Sequence, residues 1–561
     1  MRKIASVAAA LLTLPLVPLP ATAAPPPPEP QLQRYFTLPT GDHVLLTGHG
    51  ESAKPRFLPA PGHSPIAVTS KVNGQFTVVP AGQLKHLTSL DAYRIGPAEP
   101  RGVEASSQMS LLHVKAVNHT GKKAAAAEVL VVNTDNLATA SWDGVMLDGD
   151  ARIQVPNGHY SVAVAIFDTD EHDNPVNTEL LTQTDVTVST GGATVALDGR
   201  AAHPVSFVTP LPSVHQAAVA GWERGPKGRL ASFDIGAMAG TSFYVGAAEK
   251  PKYGVLNFSM VARELSPPSA PKPYSYFIGI PKADHVPIEQ TYPVNPATLA
   301  TVDSTYPTDL PGQDLILWDD WAIPGAGPAN PAMPTLPYVE VHAPSADRRY
   351  VTVAPGLDYD GLMLPNDGGA PLDGELERHL TLKAGEHRSL TWRDGLILPA
   401  PATVDGPCFL CRTADKLAGV GVMDTDAAGD IGQWSQGTTT ITEDGKQIYQ
   451  DTTQGVMFEQ ALKAGKHRYA YSIDDTHDGV ATNLSTHTQI TWGFDSATTA
   501  KSAPLPIFYS RAAFNTDRHS SLAPGEATMS LVFQHQPGAA DSPLKSAAVS
   551  SPTTTARPGF P

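Results

Sequence analysis

Ala151-Arg152-Ile153-Gln154-Val155-Pro156-Asn157-Gly158-His159-Tyr160-Ser161-Val162-Ala163-Val164-Ala165-Ile166-Phe167 holds two apolar runs joined by a Pro-Asn-Gly turn. Side chains branched at Cβ favour extended backbone, and Gly158 supplies the turn, so the stretch is expected to be a β-hairpin. The phrase recurs as Leu382-Lys383-Ala384-Gly385-Glu386-His387-Arg388 and as Leu462-Lys463-Ala464-Gly465-Lys466-His467-Arg468-Tyr469. The last two are close enough to suggest duplicated modules. Their His and Arg, beside a turn, are expected to face solvent.

Outward from this stretch the pattern stays β. Runs rich in Val and Ile at 111–117 and 129–133 are separated by Gly, Asn and Asp turns. On the N-terminal side, Thr40-Gly41-Asp42-His43 reads as a turn between two short strands, and Phe76-Thr77-Val78-Val79 as another strand. Leu84, Leu87 and Leu90 then predict one short amphipathic helix. The fold class expected is mainly β: several β-sandwich modules (Ig-like or prealbumin-like) in tandem behind a small α+β N-terminal unit. The boundaries expected are a signal peptide at 1–23, a Pro-rich spacer at 24–34 and the α+β unit at 35–98. β-Modules follow at 105–204, 205–400 and 401–549, and a disordered tail at 550–561.

Composition agrees with this organisation. The chain has 561 residues with 53 Pro and 47 Gly, a 41% hydrophobic share and a formal charge of −16. That length allows roughly three or four domains. The acidic balance argues against nucleic acid as a partner, since phosphate binding needs clustered cations. Arg2 and Lys3 precede a short apolar run broken by Pro15 and Pro18, and Ala21-Thr22-Ala23 offers a small-x-small cleavage site after Ala23. A secreted protein without membrane attachment once the signal is removed is therefore expected.

Candidate chemistry is sparse. Trp318-Asp319-Asp320-Trp321 pairs carboxylates with indoles. Neighbouring strand residues point to opposite faces, so the two carboxylates are not expected to flank one bond. Trp318 and Trp321 are read as an aromatic-rich strand end or, in the alternative, as platforms for sugar. Two acidic loops are candidates for calcium: Asp168, Asp170 and Asp173 in one, Asp424, Asp426 and Asp430 in the other. The second matches an EF-type loop only in part and lacks its bidentate Glu. No other cofactor is expected. Cys408 and Cys411, the only cysteines, are read first as a local disulfide of an exported protein, with redox thiols or a metal as alternatives.

Several longer segments resemble the non-catalytic parts of the large secreted subtilisin-like serine peptidases of actinobacteria. Thr40-Gly41-Asp42-His43-Val44, Phe76-Thr77-Val78-Val79-Pro80 with the Leu84–Leu90 helix expected after it, and Asp91 are similar to their leader region. Cys408-Phe409-Leu410-Cys411-Arg412-Thr413-Ala414-Asp415-Lys416-Leu417, Trp492, Pro504-Leu505-Pro506, Ala523-Pro524-Gly525, His535-Gln536-Pro537-Gly538 and Ser542-Pro543 resemble their C-terminal β-modules. Ala414 departs from the pattern, where Gly is expected. The catalytic domain of such a peptidase would lie between Asp91 and Leu111, a gap too short for any domain of ~50 residues or more. No subtilisin-type Asp, His or Ser motif is found, and Gly240-Thr241-Ser242 is the only echo of one. The resemblance implies a binding or accessory protein whose partner is a related peptidase, another protein or a cell-envelope polymer. The competing expectation is a hydrolase with an unrecognised site near Ser242 or Trp318–Trp321.

Overall fold

The computed structural model describes residues 34–47, 53–96, 108–310, 312–322, 333–366, 375–401, 409–421, 423–433, 436–452, 457–476, 482, 484–522, 528–536, 538–540 and 543–546. The expected signal peptide with Ala23, the Pro-rich spacer, Cys408 and the C-terminal tail lie outside them. The protein is mainly β and built of several sheets. The hairpin expected at Gly158 does not form: Asp150–Pro156 pairs with Met109–Val117, whereas Gly158–Thr169 pairs with Ala126–Asn133 and Pro175–Val188, because the turn carries the chain past two intervening strands of the same sheet.

Two strands explain why the central sheets stay together. Ala126–Asn133 is buried at every position, and Gly158–Thr169 is buried over most of its length. A strand covered on both faces reads as an uninterrupted apolar run. One face, with Val129, Val131, Val162 and Val164, lines the interior of the nine-stranded sheet. The other face, with Leu130, Val132, Ala163 and Ala165, packs into a core shared with the N-terminal residues and the ten-stranded sheet.

The N-terminal unit is not a free-standing α+β body. Its strands Ala67–Val72, Gln75–Pro80 and Arg94–Ile95 extend the ten-stranded sheet, with Ser232 opposite Lys71 and Asp234 opposite Thr69. The expected Leu84–Leu90 helix is instead a 3₁₀ turn, Ala81–His86, followed by a second, Asp91–Tyr93. Leu84 lies in the first turn and Leu90 caps the second, and both are buried without an α-helix. Gly82 permits the docking of this turn: a Cβ there would lie 2.8 Å from the Asp173 carbonyl at a hairpin tip. The Thr40–His43 turn does form, with Gly41 at φ 84° and Asp42 accepting from the Ala60 amide at 2.7 Å.

The Trp318-Asp319-Asp320-Trp321 segment lies in the strand Asp314–Ala322 of a seven-stranded sheet. Its side chains alternate as strand geometry demands. Trp318 and Asp320 face the three-stranded N-terminal sheet: Trp318 packs with Leu45 and Leu58, and Arg56 donates to Asp320 at 2.8 Å. Asp319 and Trp321 face the ten-stranded sheet. Asp319 accepts from Arg263 at 3.0 Å and Arg349 at 2.6 Å, and from the Tyr359 hydroxyl. Trp321 stacks on Phe277 with ring centroids 3.7 Å apart.

The seven-stranded sheet crosses the boundary expected near residue 400. Glu375–Leu380 pairs with Ile431–Gln433, and Leu398–Pro399 with Asp424–Thr425. Beyond it, Gln436–Glu443, Lys446–Asp451, His467–Thr476 and His487–Ser496 form a four-stranded sheet over a core containing Tyr471, Ile473 and Trp492. The three histidines of the recurring turn phrase each meet an aspartate: His159 with Asp135 at 3.0 Å, His387 with Asp303 at 2.7 Å, and His467 with Asp444 at 2.8 Å.

Two predictions follow from burial and backbone strain. Glu128 is wholly buried against the N-terminal unit, with the Ser70 hydroxyl donating at 2.8 Å. Burial pushes its carboxyl from 4.5 up to about 8. A raised folded value means that the stability it lends is complete below pH ~4.5 and is lost as pH rises through about 8. Relative to Glu128→Gln, the wild type should lose up to ~1.4 kcal/mol per pH unit across that window, measured by urea unfolding at a series of pH values. Ala414 sits at φ 51° in the hairpin turn between Leu410–Ala414 and Lys416–Val420. A non-glycine residue pays ~1–2 kcal/mol there, partly offset by glycine's greater unfolded freedom. Ala414→Gly should therefore stabilise the C-terminal module by ~0.5–1 kcal/mol in the same assay.

Candidate functional site: a cleft between the nine- and ten-stranded sheets

Four strands build the cleft. Val214–Gly225 runs antiparallel to Val255–Leu265, placing His215 opposite Glu264 and Val214 opposite Leu265. A register shift between His215 and Ala217 bends this end of the pair, as bulges do. The third strand, Ser206–Val208, pairs in parallel with Thr291–Pro293. The fourth, Ser242–Val245, is the parallel neighbour of Pro175–Val188.

The cleft has a volume of about 340 Å³, with Phe207, Ser213, His215, Ser242, Tyr244 and Glu264 among its lining. Glu264 is nearly buried, 3% exposed. Its two oxygens are engaged separately: His215 Nδ1 lies 2.7 Å from Oε1, and the Ser213 hydroxyl donates to Oε2 at 3.1 Å. Phe207 lies parallel to the His215 ring, with centroids 6.3 Å apart. The imidazole is thus held between an aromatic face and a carboxylate.

Several large apolar side chains of these strands and of the turn before Val214 are exposed. Val208, Leu211, Val214 and Leu265 are all exposed. Val214 pairs with Leu265 across the strands; Val208, Val214 and Leu265 are each the strand neighbour of a cleft-lining residue, so their side chains project from the face opposite the cleft.

Behind Tyr244 lies a second polar group. Its ring stacks on His119 at 4.3 Å, whose Nδ1 lies 2.6 Å from Glu179 Oε1. His119, Asp168 and Glu179 bring ligand-type atoms within 4.8 Å of one another. All three are already engaged. The His119 amide donates to both Glu179 oxygens at 2.9 Å, and Asn118 donates to Asp168 at 3.0 Å. Burial pushes the Glu179 carboxyl up while the His119 hydrogen bonds oppose it. The group ties the turn at residues 118–121 to the strand that carries Ser242, and no sequence signal linked His119 to Glu179.

The residues expected to carry chemistry are redistributed. Asp168, Asp170 and Asp173 do not converge on a cation. Asp170 caps its own turn, accepting from the His172 amide at 2.8 Å and the Asn174 amide at 2.9 Å. Asp173 pairs with Lys85 and His86 of the N-terminal unit. Trp318 and Trp321 are 1% and 2% exposed, so neither offers a face to sugar, and the platform reading is corrected to a core role. In the second acidic loop, Asp426 accepts from the Gly429 and Asp430 amides at 2.9 and 3.0 Å. Asp430 forms a forked pair with Arg378. Cys411 is buried and disulfide-bonded. Ser242 is exposed at the start of its strand and lines the cleft, although its hydroxyl makes no hydrogen bond to His215 among the described residues.

No protein-family model matches the chain, and no curated protein matches it. Among solved structures, a candidate adhesin from Bacteroides ovatus is 9% identical, covers 36% of this chain and 98% of its own, and has a TM-score of 0.17. The Bacillus anthracis TIE protein is 10% identical over 70% of this chain and 74% of its own, with a TM-score of 0.12. A streptococcal ancillary pilin is 10% identical over 70% of this chain and 98% of its own, with a TM-score of 0.11. Scores of this size carry no functional argument. Among the described residues no helix is long and apolar enough to cross a membrane.

Proposed function

We propose that this chain is an extracellular, non-catalytic binding protein that holds a polypeptide partner along the cleft between the nine- and ten-stranded sheets. The observation that supports this reading is the cleft lined by Phe207, Ser213, His215, Ser242 and Glu264, on strands whose other faces expose Val208, Val214 and Leu265. Covering it would recover ~25 cal/mol per Å² of apolar surface. The carboxylate and hydroxyls at its centre would orient the partner by hydrogen bonding. The resemblance to accessory parts of subtilisin-like peptidases makes a related peptidase the first partner to test, and cell-wall material the second.

The test is direct binding of the full chain to an active-site-blocked subtilisin-like peptidase and to isolated cell wall. Micromolar binding to the peptidase is expected. The combined variant Val208→Ser, Leu211→Ser, Val214→Ser and Leu265→Ser should weaken it at least tenfold. No binding to either material at micromolar concentration, or undiminished binding by the variant, defeats the reading.

A second reading rests on one observation: Ser242 shares its cleft with His215 and Glu264, the residue types of a hydrolytic triad. On this reading the protein is a serine hydrolase whose imidazole reaches Ser242 only when substrate is bound. A fluorophosphonate probe should leave the intact protein unlabelled if the binding reading holds. Labelling that disappears in Ser242→Ala and His215→Ala would establish the hydrolase instead.

A further inference from the structure

Of the three aspartates in the second acidic loop, Asp426 and Asp430 are satisfied by protein donors. The third is not. Asp424 lies in the short strand Asp424–Thr425, 1% exposed, with both carboxylate oxygens buried and no hydrogen-bond donor on either. Burying an ionised carboxylate with no compensation costs several kcal/mol or more, so such a group ordinarily finds a donor, a proton or a metal.

What Asp424 faces is another carboxyl. Asp475, wholly buried, comes from the strand His467–Thr476 of the four-stranded sheet, 51 positions further along the chain, within hydrogen-bonding reach of Asp424. Desolvation and this neighbour hold the Asp424 carboxyl well above the usual carboxylate range. A third oxygen lies on the strand beside Asp475. Thr488, on the adjacent strand His487–Ser496, is the direct cross-strand partner of Asp475. Residues directly opposite in an antiparallel pair project from the same face, with Cβ atoms ~4.5–5.5 Å apart. Thr488 is 7% exposed, and its hydroxyl is also buried with no partner. Asp424 and Asp475 therefore sit where the seven-stranded and four-stranded sheets meet, a seam at which Leu398–Pro399 touches His487–Ser496.

We propose that a calcium ion binds in this seam, held by the Asp424 and Asp475 carboxylates and the Thr488 hydroxyl. Hard oxygen donors of this kind suit Ca²⁺, which accepts irregular surroundings and mixed carboxylate and neutral oxygens. Mg²⁺ demands near-octahedral geometry and gives up its water reluctantly, so it is the poorer occupant of a dry seam. The ion replaces the missing donors of Asp424, cancels the repulsion between two buried carboxylates, and ties the two sheets together. Asp426 and Asp430 act only at one remove, by shaping the turn that follows Asp424. The site is independent of the cleft and does not rest on the binding reading.

The test uses the full chain. Calorimetric titration with CaCl₂ at pH 7.5 should show one ion per chain, with Kd in the range of ~0.1–1 mM found for extracellular modules. Thermal unfolding should shift upward with Ca²⁺, less with equal Mg²⁺, and back with chelator. Asp424→Asn and Asp475→Asn should each weaken Ca²⁺ at least tenfold, and Thr488→Val by a smaller factor. The proposal is overturned if the wild type takes up no Ca²⁺ and is instead more stable at pH 5 than at pH 7.5, with Asp424→Asn matching its low-pH behaviour. The two carboxyls would then share a proton. It is equally overturned if both Asn variants, folded by circular dichroism, keep wild-type affinity.

Discussion

Asp319 and Asp320, adjacent in one strand, hold the middle of this protein by pointing in opposite directions. The strand that carries them belongs to a sheet covered on both sides. Asp320 meets Arg56 of the three-stranded N-terminal sheet, while Asp319 gathers Arg263 and Arg349 from the ten-stranded sheet and Tyr359 from its own. All of these groups are buried. A buried ion pair gains little over an apolar substitute of the same shape, but removing one partner strands a charge at a cost of ~3–5 kcal/mol. The arrangement thus fixes which faces meet more than it adds net stability. Trp318 and Trp321 repeat the alternation in apolar form, each filling the core on its own side.

The same economy of faces governs the rest of the molecule. The N-terminal strands complete a sheet whose other members lie well over a hundred residues away, and they cover the outer face of the Ala126–Asn133 and Gly158–Thr169 strands. An N-terminal segment that donates strands in this way is part of the core. The cleft lies along the junction of the two largest sheets, where Ser242 on one strand end and His215 on another come into a common pocket. Its position follows from the sheet junction, since no local motif near either residue announces it.

Acidic side chains show how poorly charge clusters in sequence forecast charge clusters in space. Of the aspartates close together at 168–173, one caps a turn, one reaches back to the N-terminal unit, and one joins His119 and Glu179. In the loop beginning at Asp424, Asp426 and Asp430 are answered by backbone amides and Arg378, while Asp424 faces Asp475 on a different sheet. Satisfied and unsatisfied carboxylates look alike in a sequence. Only the donors around them tell them apart.

The sequence by itself determined the mainly β class, the turn at Gly41 and the alternation that separates Asp319 from Asp320, but it misread the turn before Gly158 as a hairpin whose two strands are not neighbours in the sheet. These are local properties: branched side chains, turn glycines and the two-residue period of a strand act between near neighbours. The resemblance led glycine to be expected at Ala414, and the backbone there adopts the conformation that favours glycine. Tertiary structure decided the rest. It turned the Leu84 helix into a 3₁₀ turn against a hairpin tip, buried Trp318 and Trp321, and joined His215 to Glu264 and Asp424 to Asp475. Each of these depends on which strands become neighbours in a sheet, and such pairing is set by the burial of whole faces rather than by any short stretch of residues.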